Sequence, residues 1–220
     1  MKKIFVIGSS GHAKVVIDII EKEGKHQIVG LLSRDQAAGE FVYGYEILGK
    51  EANLPDILKT HPAEGFVIAV GDNATRAKVA NFFAENHPQL EAVSAIHPTA
   101  IIGKDVNIGT GTVLMAGVVI NPSTRIGKNC IINTSASIDH DNVIGDFTSI
   151  APSVTTGGDC QIGEFCAIGI GATLLHGIQI GEQTVIGAKA LVNKDIPSYS
   201  VAYGTPTKVI RKREAGERYL

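Results

Sequence analysis

Every sixth residue from Ile96 to Val192 is aliphatic, with the single exception of Thr156. A helix face repeats every 3.6 residues and a half-buried strand every two. A period of six held over seventeen hexads without an insertion fits neither. It fits a parallel β-helix, in which short strands meet at turns and each coil stacks on the one before. A second column fixes the register: four residues after each aliphatic position stands a smaller one, as in Ala100, Thr112, Thr124, Cys130, Ala136, Asn142, Thr148 and Ala172. The two columns point to the same side of a strand, and large beside small can fill a narrow triangular prism. Glycine often follows the large residue (Gly103, Gly109, Gly127, Gly145, Gly163, Gly181, Gly187), which reads as a corner needing unusual backbone angles. Three hexads per coil give nearly six coils, a column about 27 Å tall at a strand spacing of ~4.8 Å.

The first ninety residues follow another rhythm. Ile4–Ile7 reads as a buried strand, Gly8-Ser9-Ser10-Gly11-His12 as a tight turn, and Ala13–Glu23 as an amphipathic helix. Gln27–Leu32 and Phe66–Val70 read as further strands, the latter followed by Gly71-Asp72-Asn73 and a helix over 74–86. Strands alternating with helices predict a small Rossmann-like parallel α/β sheet. The expected division is residues 1–95 for that domain and 96–220 for an all-β coil with a carboxy-terminal tail, the junction lying near His97-Pro98.

Composition narrows the partners. A formal net charge of −2 gives no reason to expect nucleic acid, and the basic cluster Lys208–Arg213 reads as a solvated segment. The apolar opening at Ile4–Ile7 is cut off by Gly8, His12 and Lys14, too soon for a signal sequence or a membrane span. Cys130, Cys160 and Cys166 all fall in the small inward column. They read as buried hydrophobes, with a reducing cytoplasm as the simplest compartment.

Candidate chemistry lies where the repeat does not require a residue. His140 falls at a corner between Asp139 and Asp141, and an imidazole so flanked can accept a proton near neutral pH; a surface histidine beside two aspartates is the plain alternative. His176 occupies the same hexad position two coils on, roughly 10 Å away by strand stacking, too few ligands for a metal site. Thr156-Gly157-Gly158 breaks the apolar column one coil after His140. Its glycines either admit a ligand to the backbone or widen a corner. Asn133 either binds a polar group or stacks at its corner. The Gly8–His12 turn suits a phosphate at a helix N-terminus, but Ser10 and Ala13 occupy the second and third glycine positions of the dinucleotide fingerprint, which disfavours NAD and leaves a nucleotide diphosphate or a purely structural turn. Gly71-Asp72-Asn73 falls at the same carboxyl edge, where open α/β sheets bind ligands. Arg76 reads as a phosphate contact or an exposed helix charge.

The turn Gly8-Ser9-Ser10-Gly11-His12-Ala13-Lys14, the segment Ile68-Ala69-Val70-Gly71-Asp72-Asn73 and the coil segment Ile132–Asp141 together resemble the hexapeptide-repeat nucleotide-sugar acetyltransferases. The resemblance is to the group typified by UDP-N-acetylbacillosamine N-acetyltransferase and the sialic acid O-acetyltransferases. It implies a left-handed β-helix, a homotrimer, and acetyl-CoA in the cleft between neighbouring coils, with no metal. It implies that His140 is the general base with Asp141 beside it, and that Asn133 helps to hold the acceptor sugar. Ser10, Gly11, His12 and Gly71 would contact the nucleotide sugar, and acetyl-CoA would pass Ser149, Gly158, Ile170 and Ala188. Three positions depart from the group's pattern. Ser33-Arg34 stands where an acidic pair is common after the second strand, Ser149 where a histidine is common, and Asp141 where a glutamate is known. The expected activity is N-acetylation of a nucleotide-linked amino sugar of the UDP-4-amino type, in bacterial glycan or polysaccharide synthesis. The rivals are O-acetylation of a sugar such as sialic acid and a non-catalytic trimeric binder.

Overall fold

The computed structural model describes residues 1–219. Its amino-terminal region is a six-stranded sheet in the order β3-β4-β2-β1-β5-β6. The strands are β1 (Lys2–Ile7), β2 (His26–Leu32), β3 (Phe41–Val42), β4 (Tyr45–Gly49), β5 (Gly65–Ile68) and β6 (Glu91–Ala92). The helices are α1 (Gly11–Glu23), α2 (Leu54–Thr60) and α3 (Asn73–Asn86). Every pairing is parallel except the β3–β4 hairpin. That hairpin and α2 give no clear periodic signal, because their apolar residues are few and spaced by polar ones. β1 is a continuous apolar run because helices cover both of its faces: Ile4 and Val6 pack with α1, Phe5 and Ile7 with Val79 and Phe83 of α3.

From Ala95–Ile96 onward the chain winds as a left-handed parallel β-helix. Two-residue strands build three faces, whose first strands are Ala95–Ile96, Ile101–Ile102 and Asn107–Ile108. Pairs such as Val113 with Ile131 and Val119 with Ser137 set one coil at eighteen residues, three hexads. From Leu114 to Val192 every residue of the large column is buried, Thr156 included. The small column is buried from Thr112 to Ile196. Its polar members serve the corners: the hydroxyls of Thr112, Thr124 and Thr148 donate to carbonyls of Gly127, Asp139 and Gly163, fifteen residues on. Inward-turned carbonyls would otherwise be orphaned in an apolar prism, at a cost of about 1–3 kcal/mol each.

The glycines play a different part from the one the sequence suggests. The left-handed backbone at each corner sits three residues after the large aliphatic, and mostly on residues other than glycine, such as Asp105, Ser135, Asp141, Phe147 and Lys189, all with φ between 56° and 58°. The glycine directly after the aliphatic has ordinary φ but no room: a Cβ on Gly109 would lie 2.5 Å from the backbone of Gly127 in the next coil. Close coil stacking, not torsion, selects glycine there.

The two regions share an apolar contact. Val113, Met115 and Ile131 on the outer side of the first face join the cluster around α1. Past this contact the same face runs on through Ser149, Ala167 and Val185.

Candidate active site

His140 stands at the corner between the second and third faces, and the sequence anomaly at Thr156 explains how that corner is held. In a regular coil the residue after the large aliphatic donates its N–H to a carbonyl of the next coil, as Asn121 does to Ile138. Asp139 instead donates to the Thr156 hydroxyl, at 3.1 Å. Asn142, buried in the small column, donates to the carbonyls of Asp139, His140 and Gly157. Asn121 donates to the Asp139 carboxylate at 2.8 Å, and so does the His140 backbone N–H. These two bonds, Asn121 first, hold the Asp139 carboxyl below its usual range.

The His140 ring is exposed, with Nδ1 2.7 Å from Asp141 Oδ2. That bond, with lesser help from the charges of Asp139, Asp141 and Asp159, raises the imidazole above its ordinary value of 6.5. With Nδ1 engaged, Nε2 is the nitrogen left to take a proton. Gly158 lies directly under the ring: a Cβ there would be 2.5 Å from Cε1 and 2.6 Å from Nε2. Gly158 therefore makes space for the imidazole. The N–H of Gly157 is taken by the Leu174 carbonyl, so it is no free donor for an oxyanion.

A second place gathers most of the other candidates. His12, Gly71, Asn133, Ser149, Ile170 and Ala188 line one cavity of 410 Å³, together with Ala167, Val185 and Tyr219. It lies between the turn that starts α1, the loop after β5, and the first face of the coil. His12 Nε2 is buried there without a protein partner. Burial, with the charge of Arg76 adding to it, lowers this imidazole to about 4, so it is neutral at physiological pH.

Arg76 neither meets the cavity as a phosphate contact nor lies exposed on its helix. It is 1% exposed and bolts the two regions together. Nε donates to the Asn129 carbonyl, Nη1 to those of Val70 and Gly71, and Nη2 to Phe147 O, Asn73 Oδ1 and Ser149 Oγ. Asn73 adds a bond to the Cys166 carbonyl. The Tyr219 hydroxyl donates to Gly71 O and Asn73 Oδ1, which places the tail against the same loop. Nothing in the local sequence distinguishes Arg76 or Tyr219, because their partners lie far along the chain. The α3 N-terminus was legible, since Asp72 caps it by accepting from Thr75 N.

The remaining candidates lie apart from the cavity lining. Ser10 is the N-cap residue of α1 without a side-chain bond, and Gly11 opens the helix. Ser33 is buried, its hydroxyl 2.7 Å from that of Ser9 and accepting from the N–H groups of Asp35 and Gln36. Arg34 pairs with buried Glu51 at 3.1 Å. The cysteine thiols are buried, Cys130 and Cys166 being pushed up to about 12 by that burial, which leaves them inert as nucleophiles. Among the described residues no His, Cys, Asp and Glu cluster is arranged to hold a metal ion. No described helix is long and apolar enough to cross a membrane.

Comparison with known proteins agrees with this architecture. Residues 3–83 match the family described as PglD N-terminal domain, and residues 159–194 match the bacterial transferase hexapeptide family. The structure of PerB from Caulobacter crescentus, in complex with CoA and GDP-perosamine, superposes with a TM-score of 0.89 at 33% identity, covering 96% of this chain and 98% of that one. The acetyltransferase domain of PglB from Neisseria gonorrhoeae, in complex with acetyl coenzyme A, gives 0.85 at 29% identity, covering 95% and 99%. UDP-N-acetylbacillosamine N-acetyltransferase of Bacillus subtilis is 34% identical over 117 residues, 53% of this chain. The matched stretch spans about half the length of that curated relative (52%). The chain belongs to the hexapeptide-repeat nucleotide-sugar acetyltransferases.

Proposed function

We propose that this protein transfers the acetyl group of acetyl-CoA to the amino group of a nucleotide-linked amino sugar, with His140 as general base. The observation that carries the reading is the His140 corner, where Asp141 engages Nδ1 and leaves a strengthened Nε2. The amine nitrogen attacks the thioester carbonyl and its proton passes to Nε2. The C–S bond then breaks, and the departing CoA thiolate is protonated in turn. Holding both reactants in one cleft and general-base help, typically 10²–10⁴-fold, supply the acceleration.

The cavity along the first face suits acetyl-CoA, with Ser149, Ile170 and Ala188 beside it. His12 and Gly71 face the nucleotide sugar and Asn133 its acceptor ring. Ser10 and Gly11 offer backbone N–H groups to phosphate, and Ser33 and Arg34 lie at the same carboxyl edge, within reach of the base. In one chain the cavity turns the corner after the first face, while His140 stands at the next corner. A threefold assembly would bring one copy's cavity to its neighbour's imidazole, and a homotrimer is therefore part of the proposal. The CoA and nucleotide-sugar complexes of the matched structures support the choice of acetyl-CoA and a nucleotide-linked amino sugar as the two substrates. So does the charge of the corner: Asp139, Asp141 and Asp159 favour a cationic amine over the carboxylate of a sialic acid. Three buried free thiols and these substrates fit the cytoplasm.

The test is thiol release from acetyl-CoA across UDP- and GDP-linked 4-amino sugars, sialic acids and no acceptor. Release with an amino-sugar nucleotide alone supports the reading. Release only with sialic acid selects O-acetylation, and no release with any acceptor leaves a binding protein. Sedimentation of the purified protein as a monomer would remove the shared cleft.

A further inference from the structure

The strands β1, β2 and β4 end side by side at the carboxyl edge of the amino-terminal sheet. The Gly8 N–H donates to the Leu32 carbonyl and the Ser33 N–H to that of Gly49. The turn after β1, the loop after β2 and the segment after β4 therefore form one rim. The Ser9 and Ser33 hydroxyls, 2.7 Å apart, tie the first two together. A diphosphate seated at the N-terminus of α1 sends its nucleoside along this rim, toward the loop after β2.

That loop presents Arg34 with its donor fork unspent. Arg34 Nε donates to both carboxylate oxygens of Glu51, at 3.2 and 3.1 Å. Glu51 is buried, and a buried carboxylate without its cation is costly, so the guanidinium is pinned from one side. Its Nη1 and Nη2 make no bond to the protein among the described residues, and the side chain is 52% exposed. The backbone beneath is fixed as well, because the Ser33 hydroxyl accepts from the N–H groups of Asp35 and Gln36. Asp35, the next residue, is exposed. The rim thus offers a held pair of donors with a carboxylate beside it.

One base matches that sequence of groups along its edge. Guanine sets two acceptors side by side, N7 and O6, which an arginine fork takes bidentately. Its N1–H and N2–H donors follow, and a carboxylate accepts from both. Uracil and thymine place a lone N3–H between two carbonyls, and adenine sets a donor beside N7, so none of these gives the fork two adjacent acceptors. Cytosine has such a pair in O2 and N3, but only one donor group beyond it.

Resting on the nucleotide-sugar reading above, we propose that Arg34 is the residue that selects the nucleotide, and that it selects guanosine diphosphate. The acceptor is then a GDP-linked amino sugar, in place of the uridine-linked one expected from the sequence.

The test is calorimetric titration of the protein with GDP, UDP, CDP and dTDP, for the wild type, Arg34→Lys and Arg34→Met, with thermal midpoints alongside. The wild type should bind GDP roughly ten- to a hundredfold more tightly than the others, the discrimination that one bidentate contact supplies. Arg34→Lys keeps a cation for Glu51, and so the midpoint, but has no fork. It should bring GDP down to the level of UDP while UDP affinity barely changes. Arg34→Met should do the same and also lower the midpoint, because Glu51 is left unpaired; the lysine variant therefore decides. Wild-type affinity for UDP, CDP or dTDP equal to that for GDP overturns the inference, as does a lysine variant that keeps the preference. An equal loss for every nucleotide overturns it too, by making Arg34 a phosphate contact. Each of these leaves acetyl transfer to a nucleotide-linked sugar standing. A wild-type protein that binds none of these nucleotides removes that reading along with the role of Arg34.

Discussion

The coil and the amino-terminal sheet bury comparable apolar cores but obtain them differently. In the coil each residue meets its own counterpart eighteen positions away, so one local rule is applied again and again. In the α/β region the decisive contacts are singular. Arg76 reaches carbonyls 53 and 71 residues along the chain, and Tyr219 bonds a loop 148 residues before it. A repeat can therefore be read from sequence, while a clamp is visible only in three dimensions. The proposed chemistry lies where the repeat is interrupted: Thr156 diverts a ladder bond, Gly158 clears a space, and His140 fills it.

This contrast can be broken experimentally. The largest effect is expected from His140→Ala, a loss of about 10²–10⁴ in kcat, measured by thiol release. The thermal midpoint should be unchanged, because the ring is exposed. A drop in midpoint comparable to a core substitution would show that the corner is structural.

Arg76→Met should come next. It strips the donors from six acceptors at the junction of the two regions, and with each buried acceptor worth about 1–3 kcal/mol the total is several kcal/mol. Ile126→Ala should cost a similar 2–5 kcal/mol by leaving a cavity in the prism. Denaturant titration measures both, and calorimetry with acetyl-CoA separates them. The Arg76 variant should lose affinity because Gly71 and Ser149 line the cavity, while the Ile126 variant should not. Equal affinities would mean the clamp stabilises without shaping the site.

Gly158→Ala is smaller again. Its methyl group would meet the imidazole edge and push the ring aside, for a loss of roughly tenfold in kcat, since a 1 Å misplacement can cost up to about 10²-fold. The midpoint should barely move.

Asp141→Asn is the finest probe. A carboxylate favours the imidazolium, so its removal lowers the His140 pKa toward 6.5. The base is then neutral down to a lower pH, and the acid limb of the kcat profile should shift to lower pH while the plateau falls with the weaker base. A limb that stays in place would separate Asp141 from the titration.

The candidate corner was legible because spacing alone gives position in a coil: His140 and Asn133 fall at corners, and Thr156 breaks a column. Ser149, Ile170 and Ala188 were named only by the family resemblance, and the structure gathers them around one cavity. The glycines misled, because a sequence cannot tell a residue chosen for its torsion from one chosen for the absence of a side chain. Gly109 and Gly127 are of the second kind, and Asp141 bears the left-handed angle instead. The β3–β4 hairpin was missed because Val42 and Ile47 are isolated apolar residues whose burial comes from packing against α1 and β2. Arg76 looked like any helix cation, since only its surroundings make it a bolt.

The eighteen-residue turn also governs which changes in length the molecule can tolerate. Adding a whole turn between Asn142 and Gly157 would lift everything above it by one rung and leave each side chain over its old column. Adding a single hexad would rotate the upper stack by a third of a revolution. With the hexad placed before Ser149, that residue would swing away from Asn73, although every buried aliphatic would still find a neighbour. Length variants should therefore keep the columns aligned only in multiples of eighteen, and even then a turn inserted here puts a new residue where Gly158 now meets the His140 ring, so that a small residue at that place decides whether the corner survives.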